Sequence, residues 1–284
     1  MNEVSRGISG FGAVNSAAVG HSVRNFLREI PLPIAQLKAE YFILRAASLI
    51  NNELGFKLGS LPKPVILSES ASTLAQCYKE NLIVYGHRGL NYETINHELF
   101  HYAQEKSRAL ALNQDPEVDF LRAFGLGNEV ILGEKGNPTQ QSLSRASMLW
   151  NGANEAGAYL FGFFATHTST EDGMQLAREI LIDFERHTGI NLKRVSDSVL
   201  NFIFTPGSNL EEYTQLGEGK YYVTKVIVAM VISGMILEQN NLNARKSLRD
   251  LLDLPEKTLS RIKALGIDGA KASLERITSL LNED

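Results

Sequence analysis

The stretch Thr94-Ile95-Asn96-His97-Glu98-Leu99-Phe100-His101-Tyr102 limits what this chain can build more than any other. Its two histidines stand four apart, which in a helix places their side chains one turn above each other on a common face. Two imidazoles so arranged are spaced to share one tetrahedral cation, a geometry that selects Zn2+. Glu98 lies about 100° round the helix from His97, within reach of a metal-bound water but poorly placed as a further ligand, which is the position of a general base. The surroundings ask for the same helix. Tyr92, Ile95, Leu99 and Tyr102 are spaced to face a core, Asn91 suits the N-cap, and Glu93 suits the positive end of the dipole. The spacing predicts a helix from near Tyr92 to about Arg108.

A metal site in this chain has to be made of His and carboxylate, because Cys77 is the only cysteine and provides neither a disulfide framework nor a thiolate pair. Lys and Arg number 28 against 32 Asp and Glu, a formal net charge of -4. Without a basic block to follow a phosphate backbone, nucleic acid is not an expected partner. The N-terminal segment has one early Arg and no apolar stretch of the signal-peptide kind, so no Sec export is expected. The longest apolar run, Val226 to Leu237, has twelve residues. That is too short to cross about 30 Å of hydrocarbon, and it reads as a buried helix with no membrane span. The expected compartment is reducing cytosol, either the maker's own or one reached by a non-Sec secretion route.

At 284 residues and 44% hydrophobic content the chain can bury a substantial core, as one large domain or two small lobes. Residues 1–20 are rich in Gly, Ser, Asn and Ala and are expected to be a flexible segment, either a mere tail or a secretion address. Residues 21–108 are expected to form an N-terminal lobe. In it Phe26, Ile30, Ile34, Leu37, Phe42, Leu44 and Ile50 recur at helical spacing, broken by Pro31 and Pro33 into two helices. Val65 to Leu67 reads as a short buried strand, and Thr73 to Tyr78 with Leu82 to Tyr85 as a hairpin. Residues 109–284 form a mostly helical C-terminal lobe, with a loop around Gly133 to Ser142. Its expected helices are Ala146 to His167, Glu171 to His187, Lys193 to Phe204, Tyr221 to Gln239, and two or three short ones after Ala244. The fold class is α+β.

On the HExxH motif and the strand before it, the chain resembles the zincin metallopeptidases, whose motif helix follows a sheet with a substrate-binding edge strand. The resemblance covers roughly residues 60–160. Zincins take a third ligand from downstream. The HExxHxxGxxH extension is absent, with Glu105 and Ser107 falling in that stretch. The gluzincins take a Glu from a second helix instead, and Asn154-Glu155-Ala156-Gly157-Ala158-Tyr159 resembles their NExxxD-type segment. The resemblance therefore implies His97, His101 and Glu155 as ligands. Gly152, Ala153, Ala156, Gly157 and Ala158 would let that helix pack closely on the motif helix. Where gluzincins often place an Asp that orients the first His, this chain has Tyr159, and a phenol can still hydrogen-bond an imidazole. His167 and Asp183 are competing ligands. His21, His87 and His187 remain unassigned.

The implied activity is zinc-dependent hydrolysis of a protein or peptide substrate. A water activated at the metal attacks the carbonyl, and Glu98 takes its proton and hands it to the leaving amine. A donor for the developing oxyanion is also needed. Tyr221 and Tyr222, after the Gly217-Glu218-Gly219 loop, are candidates alongside Tyr159 and Tyr213. Leu82 to Tyr85, as an exposed edge, would hold substrate by strand addition. Two other readings stay open. One is a structural or degenerate metal site beside an interaction module, in which C-terminal apolar residues such as Leu248, Leu259 and Ile277 either fill the core, the expected place for faces of short helices, or offer a groove to a partner. The other is a zinc hydrolase acting on a non-peptide amide. A purely structural site has no need of the base at Glu98.

Overall fold

The computed structural model describes residues 32–67, 74–78, 80–111, 140–205, 208, 210, 220–253 and 255–282. The expectations for residues 1–20, the first of the two N-terminal helices, most of the loop around Gly133 to Ser142, His21 and Tyr213 lie outside them. The chain runs α1 (Leu32–Leu54), β1 (Lys63–Leu67), β2 (Ala75–Tyr78), β3 (Asn81–Tyr85), α2 (Gly86–Gly89) and α3 (Tyr92–Ala111). It continues with α4 (Gln140–Phe164), α5 (Gly173–Thr188), α6 (Leu192–Phe204), α7 (Lys220–Gln239), α8 (Ala244–Leu251), α9 (Pro255–Ala264) and α10 (Gly266–Leu281). A small sheet among many helices makes this an α+β arrangement.

Pro33 sits in the first turn of α1, where a missing N–H is harmless and the fixed φ suits a helix start. The buried face of α1 is not the one its large apolar residues mark. Ile34, Leu37 and Leu44 are exposed, while Ala35, Ala39, Ile43, Ala46 and Ile50 are buried. The expectation from spacing therefore needs correcting for the first three. A face of small residues allows a closer approach to neighbours than one of leucines, and packing chose that face.

The sheet has order β1-β3-β2. β3 pairs in parallel with β1, Lys63 opposite Asn81, and antiparallel with β2, Tyr78 opposite Asn81, as the expected hairpin requires. Leu82 to Tyr85 is consequently the central strand, which overturns its reading as an exposed edge. Leu82 and Val84 are fully buried, and both sides of the strand's backbone are taken up by its neighbours. Among the described residues the outer strands of the sheet are β1 and β2. Val65 and Ile66 on β1 are only half-buried.

α3 starts as expected, with the Asn91 side chain accepting from Thr94 N–H at 2.8 Å. Asp172 and Asn191 cap α5 and α6 in the same way, and Gly189 ends α5 at φ 67°. α7 contains the apolar run and is buried along most of its length beside α4. Among the described residues no helix is long and apolar enough to cross a membrane. Leu248, Leu251, Leu259, Ile262, Leu274 and Ile277 are all buried. They join one apolar cluster that runs from Ala35 to Ile277, so they fill the core instead of lining a groove.

Candidate metal centre

α3 and α4 cross closely because glycine permits it. A Cβ built on Gly157 would overlap the Phe100 ring and lie 3.1 Å from Gln104 Nε2 and 3.1 Å from Leu251 Cβ. One built on Gly152 would overlap Val228 of α7. The small-residue stretch of α4 thus receives α3 on one side and α7 on the other, as its composition led us to expect for α3. Ser233 of α7 adds a hydrogen bond to the Ala156 carbonyl at 3.2 Å.

At this crossing the three expected ligands converge. His97 Nε2 lies 3.2 Å from His101 Nε2 and 3.1 Å from Glu155 Oε2, and His101 Nε2 lies 3.6 Å from Glu155 Oε1. Zinc bonds to nitrogen and oxygen of about 2.0–2.1 Å imply a tetrahedron whose edges are about 3.3 Å, and the two spacings that meet at His97 Nε2 fit such edges, while His101 faces the other oxygen of the same carboxylate. Among the described residues this is the group of histidine and carboxylate side chains that can hold a metal ion.

The orientation of His101 is set by a neighbour. Gln104 is 1% exposed, and its Nε2 donates to the carbonyls of Asn154 at 3.1 Å and Leu251 at 3.0 Å. With its nitrogen so committed, Gln104 faces His101 Nδ1 with Oε1, at 3.0 Å. An oxygen there requires Nδ1 to carry a proton, which leaves Nε2 as the ring's ligating atom. Nδ1 also lies 3.2 Å from the Asn154 amide nitrogen, a contact that becomes a hydrogen bond once that amide presents its oxygen.

Burial alone would lower the basicity of His101, yet the Glu155 carboxylate, with smaller help from Glu98 and Gln104, holds its pKa above the ordinary value. Burial would likewise raise the pKa of Glu155, but His101 and His97 keep it well below the usual carboxylate range. Glu155 therefore offers the centre an ionised carboxylate.

Glu98 stands outside the three-residue group, as its place round the helix predicts. Its Oε2 accepts the Cys77 backbone N–H at 3.0 Å, and the Cys77 thiol donates to the Glu98 carbonyl at 3.0 Å. The edge strand β2, and not β3, therefore lies beside the motif. Burial, with Glu98 next, pushes the pKa of the Cys77 thiol far up, so Cys77 donates to the Glu98 carbonyl as a neutral thiol.

Tyr159 sets its ring edge-on to His97, with centroids 4.6 Å apart at 74°, and stacks on Phe184 at 4.9 Å. It forms an aromatic wall beside His97. Tyr221 and Tyr222 lie in the first turn of α7, with side chains outside the described residues. His167 and Asp183, the competing ligands, pair with each other at 2.6 Å. His167 also meets Glu179 at 3.3 Å, so these residues form a separate cluster. His187 pairs with Glu93 at 3.1 Å. His87 is on α2, with its side chain outside the described residues.

Two residues of this centre escaped the sequence reading. Gln104 carries a usable signal, because it stands three residues after His101 and so shares its face. Lys225 donates to Glu155 Oε1 at 2.7 Å. Its signal is a single lysine in an otherwise uncharged stretch from Tyr221 to Leu237, since a lysine is seldom buried without a partner. Comparison with models of protein families, curated proteins and solved structures returns no match, so the site is read from its own geometry.

Proposed function

We propose that this protein is a zinc-dependent peptidase of the zincin kind, with His97, His101 and Glu155 as its metal ligands and Glu98 as its general base. The observation that carries the reading is a pair of imidazole nitrogens 3.2 Å apart, facing the two oxygens of one buried carboxylate at 3.1 and 3.6 Å, next to a second carboxylate, Glu98, outside the group. Three protein donors are the number found in zinc sites that keep a position for water. Bound there, zinc lowers the pKa of a coordinated water toward about 7 and polarises a carbonyl.

The chain's own residues supply the rest. Gln104 fixes the His101 ring, and Glu98 takes the proton of the attacking water and delivers it to the leaving amine. On β2 the outward Cys77 N–H is already taken by Glu98, so an extended substrate would pair with the rest of that strand through backbone hydrogen bonds. Tyr159 and Tyr221 stay candidates for the oxyanion donor.

The test compares newly formed protein N-termini in cells expressing wild type and Glu98→Ala, alongside the metal content of both purified proteins. The expected outcome is normal zinc in the variant with its cleavage products gone. Full activity in Glu98→Ala would reject the general base. For the ligands, His97→Ala and Glu155→Ala should lose zinc while His167→Ala keeps it, and normal stoichiometry in Glu155→Ala would remove that residue from the set.

A further inference from the structure

Both oxygens of Glu155 face the imidazoles, but only one of them also carries a cationic donor. Oε2 faces His97 Nε2 at 3.1 Å, while Oε1 lies farther from His101 Nε2, at 3.6 Å, and accepts from Lys225 Nζ at 2.7 Å. Lys225 enters from α7, and its side chain is 19% exposed against 12% for Glu155. α7 reaches this depth because Gly152 of α4 leaves room for Val228, one turn beyond Lys225. The ammonium is therefore held at the carboxylate by the packing of two buried helices.

A carboxylate can bind a metal through one oxygen or chelate it through both, and chelation suits cations that take six or more ligands. Chelation here would bring a dication onto an oxygen already carrying a cationic donor, at a separation where like charges repel strongly in a partly buried setting. On the reading of His97, His101 and Glu155 as a metal centre, we propose that Lys225 is a positioning residue that confines Glu155 to a single metal bond through Oε2. It thereby sets a low coordination number and favours Zn2+ over larger divalent ions such as Mn2+. A lysine that merely neutralised a buried carboxylate would affect stability and leave coordination alone.

The test uses the purified full-length protein with Co2+ as the probe, because the intensity of its visible d–d bands falls as coordination number rises. Wild type and Lys225→Arg should show the intense bands of a low-coordinate ion, and Lys225→Met should show weaker bands as Glu155 chelates. The ratio of Zn2+ to Mn2+ affinity should drop by about tenfold in Lys225→Met, within the range seen when an outer partner of a metal ligand is removed. A Lys225→Met protein that binds Co2+ with the wild-type spectrum and selectivity overturns the proposal while leaving the metal centre intact. A wild-type protein that takes up neither ion overturns both. Should Lys225→Met fail to fold, zinc-edge X-ray absorption of the wild type decides: a single short carboxylate oxygen supports the proposal, and a chelating Glu155 defeats it.

Discussion

Gln104 shows how much a single side chain contributes to this centre. Its amide nitrogen serves two backbone carbonyls and its oxygen serves His101, so one buried residue fixes both the ring tautomer and the join between α3, α4 and α8. Gln104→Leu keeps the volume and removes all three interactions. Loss of an outer partner of this kind lowers metal affinity by roughly 10–100-fold. Competition with a chelator of known affinity measures it, and an unchanged dissociation constant would show that His101 is oriented by something else. Individual residues were unevenly legible. His97, Glu98 and His101 announce themselves by local spacing, because a helix turns sequence distance into geometry. Glu155 was reachable only through resemblance, and Lys225 belongs to a helix with no local relation to the motif.

Between elements, the controlling feature is the closeness of α3 and α4. Gly157→Ala pushes a methyl group into the Phe100 ring, an overpacking expected to cost about 1–3 kcal/mol. Gly162→Ala on the same helix is the matched control. Its Cβ would meet only the Glu93 backbone oxygen at 3.7 Å and Cγ at 3.8 Å, so the helix-propensity gain of up to about 1 kcal/mol should survive. Denaturant unfolding of the two variants should move the midpoint in opposite directions, and equal behaviour would show that α3 and α4 have slack at their crossing. Helices were largely legible because amphipathic spacing and a cap such as Asn91 are local. The buried face of α1 and the place of β3 in the sheet were not. Each depends on which neighbour arrives, and the alanines of α1 carry a weaker signal than the leucines that stayed outside.

For the molecule as a whole, the triad ties α3 to α4, and α7 is tied to it through Lys225, so a bound ion should stabilise the entire fold. A ligand that binds only the native state adds about 4 kcal/mol when present at a thousand times its dissociation constant, on the order of ten degrees in Tm for a chain of this size. Thermal melts with zinc or with a chelator should differ by that order in wild type and coincide in Glu155→Gln, and a wild-type Tm indifferent to both would remove the metal centre. The sequence by itself determined the motif helix, the pair of imidazoles on its face, the carboxylate beside them and the α+β class. These follow from short-range periodicity and from having one cysteine. Only the tertiary structure decided that Glu155 meets them, that β2 lies beside the motif, and that Lys225 reaches the centre. Those contacts join residues distant in sequence, and their geometry is set by how closely small residues let helices approach.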